Sequence, residues 1–154
     1  MLTDELNRLV TETGPGAAMG RLFRRYWIPV LLSHEIDEPG GAPVRVRLLS
    51  EPLVAFRDSE GRLGLIEEFC AHRRVSLWFG RNEEGGIRCP YHGWKYDVSG
   101  QCTEVPSEPP ESGYCDRIRL TSYPCVERGG IVWTYMGPAE DRPPPPAFEW
   151  TIVP

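Results

Sequence analysis

The stretch CAHRRVSLWFGRNEEGGIRCPYHGW, residues 70–94, holds two of the five cysteines and two of the three histidines of a 154-residue chain. They fall as two pairs, Cys70-x-His72 and Cys89-x-x-His92, with residues 73–88 between them. Each pair stands at a turn, and the residues before each pair have strand character. Leu63 to Phe69 reads as a strand that runs directly into Cys70, and Trp94 to Val98 reads as a strand that leaves the second pair, with Ser99-Gly100 as its turn.

Thiolates and imidazoles are good donors to zinc and iron. The four could close around one tetrahedral zinc. They could instead grip a two-iron, two-sulfide cluster, the cysteines on one iron and the histidines on the other. Common zinc modules keep cysteines in one loop and histidines in the other. Here each loop carries one of each, which suits two parallel fingers on an elongated cluster. Pro90 sets the turn between Cys89 and His92, and Gly93 allows close backbone approach, so that amide N–H groups can point at sulfur. Such hydrogen bonds raise a cluster's potential. Leu77, Trp78, Tyr91 and Trp94 are candidates for an apolar cover, or equally for ordinary core.

Outward from this stretch the pattern is mostly β. Val44 to Leu48 alternates with period two, Leu53 to Arg57 follows, and Asp58 to Gly61 reads as a hairpin turn. Ile131 to Met136 is a further strand. Short strands with closely spaced turns indicate an all-β sandwich or barrel. Residues 3–12 form a short N-terminal helix, with Thr3 as its N-cap and Leu2, Leu6, Leu9 and Val10 at helical spacing. Gly14-Pro15-Gly16 stops it. A second helical turn spans Ala17 to Arg25, with Met19, Leu22, Phe23 and Tyr26 as its apolar side. Pro106 to Gly113 reads as a surface loop, and the prolines at 143–146 as a stiff extended segment.

Composition excludes several roles. A net charge of −5 argues against nucleic-acid binding. No apolar run approaches the length of a membrane span; Ile28 to Leu32 is short and contains Pro29. The acidic start, MLTDELNRLV, is unlike a signal peptide, so the expected compartment is the cytoplasm. Five cysteines are too few for a disulfide scaffold, and Cys102, Cys115 and Cys125 read as small core or surface residues.

CAHRR…CPYHGWKYD resembles the Rieske [2Fe–2S] motif. The resemblance implies a Rieske iron–sulfur fold of antiparallel sheets with a two-loop cluster-binding subdomain, with Cys70 and Cys89 on one iron and His72 and His92 on the other. Respiratory Rieske proteins carry an additional cysteine in each loop, where this chain has Val75 and Tyr91, and serine where it has Trp94. These departures imply the lower part of the roughly −150 to +300 mV Rieske range. MGRLFRRYWIPVLLS, PVRVRLLSEPLVAFRDSEGRLGLIEEFCAHRR, SLWFGRNEEGGIRCPYHGWKYD and VPSEP together resemble the N-terminal part of phthalate-dioxygenase-type oxygenase components. Arg74, where many oxygenases have glycine, is in keeping with that branch.

The resemblance implies three segments: an N-terminal helical and extended segment, 1–42; a Rieske domain, 43–138, with cluster loops at 70–78 and 89–94; and a proline-rich linker, 139–154. It also implies a mononuclear Fe(II) on two histidines and a carboxylate. Only His34 remains uncommitted, so that iron is expected in a catalytic domain outside this chain. His34 reads as an exposed loop residue. No residue is a good candidate for acid–base or nucleophilic chemistry, and Asp97 and Glu104 read as turn and surface residues. The implied function is single-electron transfer from a flavin/iron–sulfur reductase to the catalytic domain of a neighbouring subunit in a homotrimer. His72 or His92 would be the exit, and Arg73, Arg74 and Arg81 candidates for docking. A freestanding Rieske-type ferredoxin and a zinc-bound interaction module are the competing readings.

Overall fold

The computed structural model describes residues 2–151, and the last three residues of the expected linker lie outside that range. Helix α1 spans Asp4–Thr11, and Thr3 Oγ1 accepts the Leu6 amide at 3.3 Å, the N-cap expected from its sequence. Its apolar residues stay largely exposed. Helix α2 spans Ala18–Phe23. Its expected apolar side is also turned outward at Leu22 and Phe23, while Gly20 and Arg24 are the buried positions. A Cβ on Gly20 would lie 2.0 Å from the Gly14 carbonyl oxygen, so only glycine permits this packing. Arg24 donates to the carbonyls of Thr13 (3.0 Å) and Leu49 (3.2 Å) and pairs with Glu51 at 2.5 Å, fastening α2 to the β-structure.

Among the described residues ten strands form three antiparallel sheets: β1 (Trp27–Leu32), β10 (Ile131–Tyr135) and β9 (Cys125–Arg128) in the first; β2 (Val44–Leu48), β3 (Glu51–Arg57) and β4 (Leu63–Glu67) in the second; and β5 (Arg81–Glu83), β6 (Gly86–Arg88), β7 (Lys95–Tyr96) and β8 (Cys102–Glu104) in the third. The second sheet is the middle layer, because alternate residues of a strand face opposite sides. Leu53, Ala55 and Leu65 pack with Ile28, Val30 and Met136 from the first sheet and its flanks. Val54, Phe56 and Ile66 pack with Ile87, Trp94, Tyr96 and Cys102 on the other side. Strand β3 is therefore buried on both faces from Leu53 to Phe56.

The structure departs from the expected strands in specific ways. Strand β4 ends at Glu67, and Phe69 survives only as an isolated bridge to Ser76, because the chain there turns into the first loop. Strand β7 is only Lys95–Tyr96, since its register with β8 shifts at that point. Strand β1 was hidden by Pro29, which it accommodates with a register shift against β10 between Pro29 and Leu31. Among the described residues no helix is long and apolar enough to cross a membrane.

Candidate metal centre

Strand β4 and the third sheet deliver two loops to one end of the molecule. The first closes on itself: the Cys70 amide donates to the Val75 carbonyl and the Arg74 amide to the Cys70 carbonyl, both at 3.0 Å. Arg74 takes a left-handed conformation, φ +57°. Below the loop lies Glu68, which is buried. It accepts the Ser76 hydroxyl at 2.6 Å and Arg45 Nε at 2.7 Å, while its backbone carbonyl accepts the Leu77 amide at 2.7 Å. The Arg45 guanidinium lies over the Trp78 ring, 4.5 Å from its centroid.

The second loop closes through the Cys89 amide to the Trp94 carbonyl (2.8 Å) and the Gly93 amide to the Cys89 carbonyl (3.1 Å). Gly93 has φ +75°, and a Cβ there would meet Pro106 Cγ at 2.9 Å. Arg88 donates to the Gly93 carbonyl at 3.0 Å, to Glu83 at 2.6 Å and to Glu104 at 2.8 Å.

Together the loops put two thiols inside and two imidazoles outside. Cys70 and Cys89 are 1% and 3% exposed. His72 and His92 are exposed, with ring centroids 4.6 Å apart. Trp94 stacks on His72 at 4.7 Å with the planes 6° apart. The Tyr96 hydroxyl lies 3.3 Å from Cys70 Sγ and accepts the Ala71 amide at 3.2 Å, which leaves its own proton for the sulfur. The amides of Tyr91 and His92 donate to the Cys89 sulfur.

These donors fit a two-iron cluster. Each loop contributes one thiol and one imidazole. One tetrahedral zinc needs four converging donors, whereas each iron of a mixed Cys/His cluster needs only two from the protein. Burial pushes the Cys89 thiol up, and the adjacent Cys70 adds to this, while the two amides pull the other way. A thiol buried in this way ionises when a cation balances its charge. Desolvation, then His92 and Arg73, hold His72 below the usual histidine value, favouring the neutral, ligating form.

Other sequence candidates fall elsewhere. Leu77 and Trp94 are buried, while Trp78 and Tyr91 are 40% and 57% exposed, with the Tyr91 ring 3.9 Å from that of His92. Arg74 is engaged by Glu67 and lies over the Phe69 ring, and Arg81 pairs with Glu83; Arg73 is exposed. Asp97 caps its turn, accepting the amides of Ser99 and Gln101, and Glu104 pairs with Arg88 and Lys95. His34 is exposed on the short turn Ser33–Ile36. Sequence reasoning missed Tyr96, Glu68 and Arg88. Their positions directly flanking the motif were the available signal, but a partner three-dimensionally opposite each of them was not.

The model of the Rieske [2Fe-2S] domain matches residues 26–124. The phthalate 4,5-dioxygenase oxygenase subunit of Pseudomonas putida is 51% identical over 150 residues, 96% of this chain and 34% of that protein. The 5,5'-dehydrodivanillate O-demethylase oxygenase subunit of Sphingobium is 41% identical over 155 residues, 97% of this chain and 36% of that protein. The crystal structure of dicamba monooxygenase bound to dicamba superposes with a TM-score of 0.72 at 27% identity, covering 85% of this chain and 41% of that one. The chain thus spans about a third of the length of the curated relatives it matches. On both the matched model and these relatives, the chain belongs to the Rieske family, whose cofactor is a [2Fe–2S] cluster, and its relatives are Rieske oxygenases.

Proposed function

We propose that Cys70 and Cys89 bind one iron of the cluster and His72 and His92 the other. In this reading the chain passes single electrons from a flavin/iron–sulfur reductase to a mononuclear non-haem iron in a catalytic domain outside it. The observation that carries the reading is the asymmetry of the donors: thiols buried, imidazoles side by side at the surface. The bound cluster supplies one-electron chemistry. The protein keeps water from the sulfurs, directs the Tyr96 hydroxyl and two amides at them, and presents the imidazole edges outward. Hydrogen bonds to sulfur favour the more negative, reduced state. The outer ring nitrogen of His72 or His92 would hold the redox-linked proton, since added negative charge favours protonated imidazole.

The parent activity we propose is aromatic-ring hydroxylation or O-demethylation, supported by relatives named as a dioxygenase and an O-demethylase. In a ring of three subunits the cluster of one would serve the catalytic iron of the next. The proposed division is an N-terminal segment, 1–42, a cluster domain, 43–138, and a linker, 139–154. Unpaired cysteines suit a reducing cytoplasm.

The test is an absorption and EPR spectrum of the purified protein before and after dithionite, with iron and acid-labile sulfide measured on the same sample. A red-brown protein with iron equal to sulfide, and a reduced spectrum whose average g falls below the free-electron value, is expected. A colourless protein carrying zinc and no sulfide overturns the reading.

A further inference from the structure

Two cysteines outside the metal centre line one cleft. Cys102, on β8, is buried; Cys115, on the turn Cys115–Arg117, is half-buried and packs on the same core. The backbone brings them together. The Cys102 amide donates to the Ile118 carbonyl and the Ile118 amide to the Cys115 carbonyl, both at 3.0 Å. Gln101 Nε2 reaches the carbonyls of Cys102 (3.3 Å), Cys115 (2.9 Å) and Ile118 (3.1 Å), so one side chain holds both cysteine backbones. The Cys102 thiol donates to the Glu104 carbonyl at 3.6 Å. Both cysteines line a cleft of about 250 Å³ bounded also by Glu104, Pro109 and Tyr114.

We infer that Cys102 and Cys115 form a reversible disulfide, with hydrogen peroxide admitted through this cleft as the oxidant. The more exposed Cys115 thiolate attacks the O–O bond; an S–O bond forms, O–O breaks, and the departing hydroxide leaves as water. Cys102 then gives up its proton and attacks the Cys115 sulfur; S–S forms, S–O breaks, and a second water leaves. The two sulfurs lose two electrons and the peroxide gains them. Burial holds the Cys102 thiol up to about 12, which fits it as the resolving rather than the attacking partner.

The bond would close the segment 103–114 at its base. That segment carries the exposed 106–113 loop and ends at Tyr114, whose ring meets Trp94 edge-on at 6.0 Å. Trp94 in turn stacks on His72. The disulfide therefore ties down the floor under one imidazole, and its chemistry stands apart from the cluster assignment.

The test treats the cluster-loaded full chain with one equivalent of hydrogen peroxide while the visible absorbance is followed. Free thiols are then alkylated under denaturing conditions and the peptides mapped by mass. The expected result is loss of the mass of two hydrogens, a peptide linking Cys102 to Cys115, and reversal by a thiol reductant. Cys115→Ser should lack the linked peptide and Cys125→Ser should retain it. Cys115 halting at a sulfenic or sulfinic acid without a link overturns the inference. So does a link that joins Cys70, Cys89 or Cys125 instead. The absorbance trace reports separately whether the cluster reading holds.

Discussion

The first loop rests on a buried acid, whereas the second is tied by a guanidinium. Glu68 sits under residues 70–78 and gathers Ser76, Arg45 and the Leu77 amide. Arg88 sits beside residues 89–94 and holds the Gly93 carbonyl together with Glu83 and Glu104. The turns differ as well. Both pass through the left-handed region, at Arg74 and at Gly93. Arg74 is exposed and its side chain is held by Glu67, so a Cβ is tolerated there. Gly93 faces Pro106, so a Cβ is not. The two proposed donor pairs are therefore presented by supports of opposite charge, and each loop has its own point of failure.

The strongest way to probe the comparison is at the donors. Cys70→Ser and Cys89→Ser should each abolish the visible absorbance and most of the bound iron, measured against protein concentration. Retention of a full cluster by either variant would break the proposed equivalence of the loops. Next come the supports. Glu68→Ala removes the acceptor of the buried Ser76 hydroxyl and the carboxylate partner of Arg45, and should cost about 2–3 kcal/mol in urea unfolding. Arg88→Met strands groups that water can reach and should cost about 1–2 kcal/mol. Equal costs would remove the distinction between an inner and an outer support.

Gly93→Ala combines a left-handed backbone with a contact to Pro106 and should destabilise by about 1–2 kcal/mol in the same assay. Acid separates the supports further. Hydrogen bonds from Arg88, first for both, hold Glu83 and Glu104 below the usual carboxylate range. A depressed folded value means that the contribution is complete above about pH 4.3 and is lost as pH falls through the folded value. Hydrogen exchange at the Gly93 amide should quicken over that acidic range, and Arg88→Met should abolish the dependence. The smallest effect is expected at Arg74→Gly. Relief of about 1 kcal/mol of left-handed strain is set against an exposed ion pair worth about 0–1 kcal/mol. The melting midpoint should barely move.

How much of this could be read from the chain depends on the range of the interaction. The N-cap at Thr3 and the strand Val44–Leu48 follow from neighbours a few residues apart, and both appear where the pattern places them. Strand β1 did not, because Pro29 spoils the alternation and only pairing with β10, a hundred residues later, makes it a strand. The outward side of α2 was also misjudged. Helical spacing identifies an apolar stripe, but Arg24 reaches Glu51 on another element and turns the opposite face inward.

The metal centre divides along the same line. The spacing of Cys70, His72, Cys89 and His92 set the donor types, their order and the family they resemble, because a ligand motif is a local constraint on a turn. Which donors are buried, which face outward, and what points at the sulfurs came from the fold. Tyr96 reaches Cys70 across 26 residues, and Trp94 reaches His72 across two loops. Those approaches arise from the packing of the third sheet against the middle one, a long-range arrangement that no local pattern in the chain encodes.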